Sequence, residues 1–276
     1  FLMSDSANCQ VTIESNGKNT NLLNFSNIEE AWEMSKGDGA RIAIMDWSFD
    51  LKGKEKKKYV DQISVVEGEK IGDMKPWHGE WMAETAHQVA PNAKIIPIRT
   101  RSLKTRTYQE MVAKAIHYAA DHGAIVVTSS MGPLKYSDEI KKAIDYAESH
   151  GMVFVDVHPE LILQDDDSYK PCKGNNCDPR IIHAGIVSVA THPVKPDPDR
   201  QVYVWPYDLQ TVYKDGWGFS NAPPIIAGVI ALMKSANPSL TPADIRKIIK
   251  ASSDQKEGFN VLNAVKAVKA SIKLAE

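Results

Sequence analysis

Short apolar runs alternate along the chain with longer stretches in which small and apolar residues recur at helical spacing. The short runs, bounded by glycine, proline or polar residues, are typical of strands buried on both faces. The longer stretches are typical of amphipathic helices that pack on a sheet. Strands are predicted at residues 40–45, 94–99, 124–128, 152–155 and 181–190, and helices at residues 28–34, 77–89, 108–122, 138–150 and 223–234.

Residues at the ends of several predicted helices favour helix termination or initiation. Gly123 and Gly151 each follow a predicted helix, where glycine favours a left-handed C-terminal cap. Thr241, which precedes a proline and an early acid, favours the start of a further helix. The lysine-rich stretch Lys52–Lys58 lacks any such periodicity and is predicted to be a solvated loop.

The alternation of strands with helices of this length predicts the fold class. We expect an α/β protein with a mostly parallel central sheet and helices on both faces, joined by right-handed crossovers. In such sheets a site lies at the carboxyl ends of the strands, and Asp46 lies at such an end. No internal repeat or evident linker divides the chain, so we predict a lead-in at residues 1–39 and one domain at residues 40–276.

Composition and charge narrow the function classes. The chain has 276 residues with 43% hydrophobic and 25% charged residues, an ordinary globular composition. The formal net charge of -2 gives no basic field for nucleic acid. No apolar run reaches the ~18–20 residues that span a bilayer, and no signal peptide is evident at the start of the sequence. We therefore expect neither a nucleic-acid partner nor a membrane partner.

The cysteines give evidence about the cellular compartment of the protein and about a possible metal site. Cys172 and Cys177 lie in a turn-rich segment whose spacing allows a small disulfide ring, and the alternative is two free thiols in a surface loop. A disulfide would place the protein in an oxidising compartment, so we predict a secreted or periplasmic location. No second ligand pair has metal-binding spacing, and Asp165–Asp167 is interpreted as a solvated loop. No metal and no cofactor are predicted.

Three residues could together carry nucleophilic catalysis. Asp46 lies at a strand end, His78 lies just ahead of a helix, and Ser220 lies at the entry to another helix. Acyl transfer by serine needs a base to take the hydroxyl proton and a carboxylate to orient that base. A helix N-terminus suits the nucleophile, because its unpaired N–H groups face the developing negative charge. Each of these residues alone has an ordinary structural explanation. The hypothesis of a catalytic site rests on the occurrence of all three in this order.

At these positions the sequence resembles the subtilisin-like (S8) serine proteases. Residues 40–46 resemble the strand of the catalytic aspartate, and residues 78–95 resemble the His-Gly-Thr helix with the strand after it. Residues 126–132 resemble the Ser-Leu-Gly strand of the substrate cleft, and residues 218–228 resemble the Gly-Thr-Ser-Met-Ala segment of the nucleophile. Residues 236–246 resemble the next family helix, so the likeness covers roughly residues 40–270 in one register.

The resemblance implies roles for individual residues. It implies a catalytic triad of Asp46, His78 and Ser220, in the chain order of subtilisin. It also implies a substrate cleft lined by Ser130, Met131 and Gly132.

The chain departs from the family pattern around each of these motifs. Trp47 follows the aspartate in place of threonine or serine, and Glu80 and Trp81 replace threonine and histidine after His78. Phe219 and Asn221 replace the threonine and methionine on either side of Ser220.

The largest departure concerns the side chain that would stabilise the oxyanion. Counted from Gly151 without gaps, Glu160 occupies the position of the asparagine that donates to the oxyanion in the family. An ionised carboxylate there would repel the oxyanion and could donate only when protonated. Losing one such donor costs about 10²–10³ in rate.

Two functions from different classes remain open on the sequence. The first is a serine endopeptidase that hydrolyses peptide bonds through an acyl-enzyme, with an oxyanion hole that is weakened or active at acid pH. The alternative is an impaired pseudoprotease that binds peptides or a regulatory partner. The partners that the resemblance implies are a peptide or protein substrate and an inhibitor or pro-domain. The lead-in is shorter than the family's folding pro-domain, which either has been removed or is not needed.

Overall fold

The computed structural model describes most of the chain. The described residues are 26–102, 108–131, 134, 137–157, 162–163, 169–170, 178–186, 201–204, 219–256 and 258–276.

Strands and helices alternate through these residues as the hydrophobic pattern predicts. The strands are β1 (Arg41–Asp46), β2 (Ile63–Ser64), β3 (Lys94–Arg99), β4 (Val126–Ser129), β5 (Val153–Val157), β6 (Ile162–Leu163), β7 (Tyr169–Lys170), β8 (Ile182–Ile186), β9 (Gln201–Val204), β10 (Asp254–Lys256) and β11 (Phe259–Val261). The helices are α1 (Ile28–Ala31), α2 (His78–Val89), α3 (Tyr108–Asp121), α4 (Asp138–Ser149), α5 (Ala222–Ala236), α6 (Pro242–Ala251) and α7 (Ala264–Lys273), with 3₁₀ turns at Lys56–Lys58 and Phe219–Asn221.

The central sheet has nine strands in the order β10-β11-β9-β8-β5-β4-β1-β3-β2. Only the edge pair β10–β11 is antiparallel among its described pairings, which confirms the predicted α/β class. The chain passes from β1 to β3 on one side and then returns to β4 on the other side of β1. This reversal creates a crevice at the carboxyl ends of β1 and β4, the place where open α/β sheets bind ligands.

Two hydrophobic layers cover the sheet. On one face Ile42 and Ile44 of β1 pack with α2, α5, α6 and α7 in the larger core cluster. On the other face Ala43 and Met45 pack with α3 and α4. Alternate residues of one strand therefore serve different cores, which explains why β1 is a nearly continuous apolar run.

Helix α5 lies at the centre of the larger core. Every residue from Ala222 to Met233 is buried, and the helix contacts α2, α7 and the strands β1, β4, β5, β8 and β9. A helix that is apolar on all sides is expected to be enclosed by protein in this way. The helix therefore holds its N-terminus, where Ser220 lies, in a fixed place relative to the sheet.

The predicted helix ends are confirmed. Gly123 and Gly151 have φ values of +70° and +74° at the ends of α3 and α4, a region that glycine enters without strain. Thr241 caps α6 by accepting from the backbone N–H of Asp244, whose carboxylate accepts in return from the Thr241 backbone. Such a capping box fixes the entry to the helix.

The prediction for Lys52–Lys58 is wrong at its last residue. The earlier lysines of this stretch are exposed, but Lys58 is only 3% exposed. Its ammonium group lies 2.7 Å from the Glu80 carboxylate, which compensates the buried charge. The stretch is therefore anchored to the start of α2 at one point.

Candidate active site

The site begins with a carboxylate–imidazole pair at the carboxyl end of β1. Asp46 is fully buried as the last residue of β1, and His78 is the first residue of α2. The His78 Nδ1 atom lies 2.9 Å from Asp46 Oδ1 and 2.8 Å from Oδ2. With the proton on Nδ1, this contact orients the ring and leaves Nε2 as a base.

Burial and the carboxylate act in opposite directions on the pKa of His78. Burial lowers it by disfavouring the imidazolium, whereas the hydrogen bond to Asp46 and the charge of Asp46 raise it. The net pKa lies above the ordinary value of 6.5. Asp46 therefore stabilises the imidazolium, the form that the base adopts once it has accepted a proton.

Gly79 explains how the imidazole comes so close to the strand. A Cβ atom at this position would lie 2.5 Å from the Ser48 carbonyl oxygen and 3.1 Å from Asp46 Cβ. Only glycine lets the first turn of α2 approach the end of β1 at this distance without displacing backbone. The lack of space for a Cβ atom therefore explains why glycine follows His78.

Ser220 lies in the 3₁₀ turn that leads into α5, and Ser130 connects this turn to the end of β4. The Ser130 hydroxyl donates to the Ser220 carbonyl oxygen at 2.7 Å. The Ser220 hydroxyl donates to the Ser130 carbonyl oxygen at 3.4 Å. Since β4 is the parallel neighbour of β1, these two contacts bring Ser220 to the same crevice as Asp46.

Helix α2, which begins at His78, and helix α5, which follows the turn of Ser220, pack directly on each other. A Cβ atom at Gly228 of α5 would lie 2.5 Å from Val89 Cβ of α2, so the backbones cross in close contact. Nearer the site, the Thr85 hydroxyl donates to Asn221 Oδ1 at 3.4 Å. The relative position of the two helices, and with it the geometry of the site, is set by this packing.

Glu80 is a residue beside the site whose role the sequence pattern does not predict. Its carboxylate accepts from Lys58 Nζ at 2.7 Å, from the Asp50 backbone N–H at 2.6 Å and from the Tyr59 hydroxyl. Burial raises the pKa of Tyr59 above its usual range, and the Glu80 charge raises it further. The signal in the sequence was the departure from the family pattern at Glu80, but its partners lie far away in the chain.

Trp77 contacts the imidazole and joins it to two further tryptophans. The ring centroid of Trp77 lies 6.0 Å from that of His78, 6.0 Å from that of Trp47 and 6.4 Å from that of Trp81. Trp77 is 47% exposed, an unusual exposure for so large an apolar side chain. The backbone N–H of Trp47 donates to Asp46 Oδ1 at 2.7 Å, which ties this cluster to the carboxylate.

A second buried carboxyl group lies in the sheet at Asp156 of β5. Asp156 is opposite Ser129 of β4 in the parallel register and accepts a hydrogen bond from it. Burial raises the pKa of Asp156 well above its ordinary value. Burial therefore favours the protonated acid at this position, and on its other side Asp156 is opposite His183 of β8 in the parallel register.

Several predicted site residues lie outside the described part of the chain. Of the predicted cleft, Ser130 and Met131 are described and Gly132 is not. The predicted oxyanion residue Glu160, the cysteines Cys172 and Cys177 and the acidic stretch 165–167 also lie outside the described residues. Within the described residues, no cluster of histidine, cysteine or carboxylate side chains could hold a metal ion.

Comparison with known proteins agrees with the fold and covers all three candidate catalytic positions. The family model described as the subtilase family, peptidase S8, matches residues 37–156 and 173–266. Thermitase of Thermoactinomyces vulgaris is 31% identical over 118 residues, which cover 37% of this chain and 41% of thermitase. The alignment thus spans about two fifths of that relative.

Solved structures of proteases share the fold over nearly the whole chain. A protease of Pseudoalteromonas arctica superposes with a TM-score of 0.71 at 20% identity, over 89% of this chain and 94% of that one. MycP1 with its N-terminal propeptide removed gives 0.67 at 19% identity, over 90% and 96% of the two chains. At these identities the likeness establishes the subtilisin-like fold.

Proposed function

Because the chain belongs to the subtilase family, we propose that it is a serine endopeptidase with Asp46, His78 and Ser220 as its catalytic triad. The contact of His78 Nδ1 with both carboxylate oxygens of Asp46, at 2.9 Å and 2.8 Å, carries the proposal. It leaves Nε2 as a base in the crevice where the 3₁₀ turn that holds Ser220 leads into a buried helix. Nucleophile, base and orienting carboxylate are the groups that acyl transfer by serine needs.

In this proposal the Ser220 hydroxyl must change its hydrogen-bond partner before it reacts. In the structure it donates to the Ser130 carbonyl oxygen at 3.4 Å, a long contact that is readily broken. Rotation about the Cα–Cβ bond turns the hydroxyl toward His78. Oγ then attacks the scissile carbonyl carbon while Nε2 takes the proton, and the imidazolium gives that proton to the leaving amine. Water hydrolyses the acyl-enzyme by the same steps.

The oxyanion is stabilised in this proposal by backbone and side-chain donors. The N–H groups at the entry to α5 face the developing charge, as they do at any helix N-terminus. The side-chain donor is the carboxylic acid of Glu160, the residue that the count from Gly151 places at this position. Glu160 donates only while protonated, so this donor is lost as the pH rises.

The pH dependence combines two opposite requirements. His78 must be neutral to act as a base, so kcat/KM rises with pH through the His78 pKa, which lies above 6.5. Ionisation of Glu160 opposes this rise, because the carboxylate cannot donate to the oxyanion. The proposal therefore predicts a narrow optimum in the wild type and a wider plateau in Glu160→Gln, measured from kcat/KM with one peptide across a pH series from acid to alkaline.

The substrates we propose are peptides or proteins that bind as an extended strand along Ser130 and Met131. An inhibitor or pro-domain is a further proposed partner, since MycP1 is a neighbour with an N-terminal propeptide. We also propose a secreted or periplasmic location, supported by the spacing of Cys172 and Cys177. No helix among the described residues combines the length and the apolar character that crossing a bilayer requires.

A fluorophosphonate probe tests the proposed nucleophile directly. We expect covalent labelling of the full chain at Ser220, identified by peptide mass, and no labelling of Ser220→Ala. Ser253→Ala is the matched control, because Ser253 is a serine near the end of a different helix and donates to the Ile249 carbonyl oxygen. Absence of labelling between pH 4 and pH 9 would overturn the endopeptidase proposal and favour the alternative, a pseudoprotease that binds peptides without cleaving them.

A further inference from the structure

The tryptophans near His78 form a partly exposed surface that the catalytic proposal leaves without a role. This aromatic surface consists of Trp47, Trp77 and Trp81, with centroids 6.0 Å apart for Trp47–Trp77 and 6.4 Å apart for Trp77–Trp81. Trp81 packs against the larger core, whereas Trp77 is one of two exposed large apolar side chains among the described residues. The other, Leu274, lies at the end of α7.

The aromatic surface is continuous with both parts of the carboxylate–imidazole pair. Trp77 precedes His78 in the chain and contacts its ring edge to face, with centroids 6.0 Å apart. Trp47 follows Asp46 and donates its backbone N–H to the carboxylate at 2.7 Å. Trp77 and Trp47 are therefore within reach of the side chains that flank a scissile bond held beside His78.

Arg101 connects the aromatic surface to the predicted cleft strand. Its guanidinium lies 5.9 Å from the Trp47 ring centroid, and it donates to the Met131 carbonyl oxygen at 2.6 Å. The cation stacked on Trp47 holds one side of the surface in place. The same side chain holds the Met131 backbone, so the aromatic surface and the cleft keep a fixed relative position.

Resting on the proposed endopeptidase function, we infer that this aromatic surface is a specificity subsite that binds an aromatic side chain of the substrate next to the scissile bond. The rings of Trp47 and Trp77 are inclined at 60°, and those of Trp77 and Trp81 at 77°. An added ring can contact the face of one tryptophan and the edge of another, the arrangements that aromatic pairs prefer. Large aliphatic side chains bury area here but lack these contacts, and alanine buries little.

The test compares pairs of synthetic peptides that differ only in phenylalanine or alanine at one position near the scissile bond. We expect wild-type kcat/KM to favour phenylalanine at one such position by roughly tenfold, the scale of one well-placed aromatic contact. Trp77→Ala should reduce this ratio to about one to two, and Trp77→Phe should restore most of it. Leu274→Ala, which truncates the other exposed apolar side chain, is the matched control and should leave the ratio unchanged.

The ratio of kcat/KM for the phenylalanine peptide to that for the alanine peptide distinguishes two roles of Trp77, recognition of the substrate side chain and positioning of His78. If Trp77 only supports the imidazole, Trp77→Ala lowers kcat/KM for both peptides by the same factor and the ratio persists. That result, or equal rates for the two peptides in the wild type, overturns the inference.

Peptide binding to the Ser220→Ala variant tests the aromatic subsite independently of the proposed reaction. Calorimetry with the same peptides needs no turnover, so it remains informative if the probe never labels Ser220. Tighter binding of the phenylalanine peptide, abolished by adding Trp77→Ala, supports the aromatic subsite even in a protein that cleaves nothing. Equal affinity for the two peptides overturns the subsite whether or not the chain is a protease.

Discussion

At the scale of single residues, Glu80 has more polar partners than its position on a helix surface suggests. It neutralises Lys58, whose side chain is only 2% exposed, and accepts from the Asp50 backbone N–H. Glu80→Gln leaves Lys58 as a buried charge without its counter-ion. We expect the free energy of unfolding, measured with urea at neutral pH, to fall by about 3 kcal/mol, as when one partner of a buried pair is removed.

An exposed ion pair provides the control for Glu80. The ammonium group of Lys266 lies 2.6 Å from the Asp254 carboxylate, but its side chain is largely exposed. Solvent screens this pair, so Lys266→Met should cost about 0.5 kcal/mol or less. Equal losses for Glu80→Gln and Lys266→Met would contradict the role assigned to the buried pair.

Asp46 is the residue that raises the pKa of His78, because burial alone lowers it. In Asp46→Asn only the effect of burial remains. We expect the pKa of His78, followed by NMR of its ring protons against pH, to drop from above 6.5 to below it. Asp61→Asn removes an exposed carboxylate that pairs with Arg41 and should leave the His78 titration in place.

The same shift has a consequence for stability, with a definite sign. The folded state binds the His78 proton more tightly than the unfolded state, whose pKa is near 6.5. The Asp46–His78 pair therefore contributes its full stabilisation to the folded state below the unfolded pKa. This stabilisation is lost as the pH rises through the folded pKa of His78. His78→Gln should cost more free energy of unfolding at mildly acid pH, below the unfolded pKa, than at alkaline pH. A larger cost at alkaline pH would contradict the assignment.

At the scale of elements, the crossing of α2 and α5 depends on a glycine. A Cβ atom at Gly228 would lie 2.5 Å from both Cβ and Cγ1 of Val89. Gly228→Ala must push the helices apart, and we expect it to lower the free energy of unfolding by about 1–3 kcal/mol, the usual range for overpacking. Gly72→Ala is the control, because nothing lies within 4 Å of its Cβ position. Similar stability of the two variants in urea would contradict the close crossing.

The sequence predicts the elements that carry the candidate site residues, but it does not predict every element of the fold. Asp46, His78 and Ser220 lie at the ends of elements whose hydrophobic periodicity is strong, so their places in the fold could be predicted. The strand β9, only four residues long, gives too short a pattern to be recognised. Helix α7 was also missed, although Asn263 caps it by accepting from the Lys266 backbone N–H.

Contacts between distant segments could not be predicted from local patterns. The neighbouring lysines predict a solvated loop for Lys58, and only the folded chain places it beside Glu80. The rotamer of Ser220 and the mutual approach of Trp47 and Trp77 depend in the same way on tertiary packing. Family resemblance located the candidate catalytic positions but did not describe the side chains that surround them.

At the scale of the whole molecule, the short helix α1 belongs to the same core as the helices α2 and α5. Ile28 and Ala31 are fully buried in the larger core cluster, and the Ala264 backbone N–H donates to the Ser26 carbonyl oxygen at 2.8 Å. We expect Ile28→Ala to lower the free energy of unfolding by about 2–4 kcal/mol, the range for truncating a buried isoleucine. Glu29→Ala, on the exposed side of the same helix, should cost far less. A separate early transition for α1 in urea would contradict its place in the cooperative core.

Under the proposed function, the crossing of α2 and α5 at Gly228 makes reactivity at Ser220 a reporter of folding. His78 and Ser220 come from opposite halves of the chain, and helix α2, which begins at His78, meets helix α5, which follows Ser220, only when the two helices dock. Local helices form in microseconds, whereas contacts between distant segments come late because their loop-closure entropy must be overcome first. During refolding, reactivity at Ser220 should therefore develop after the helical circular dichroism signal, in step with burial of the larger core.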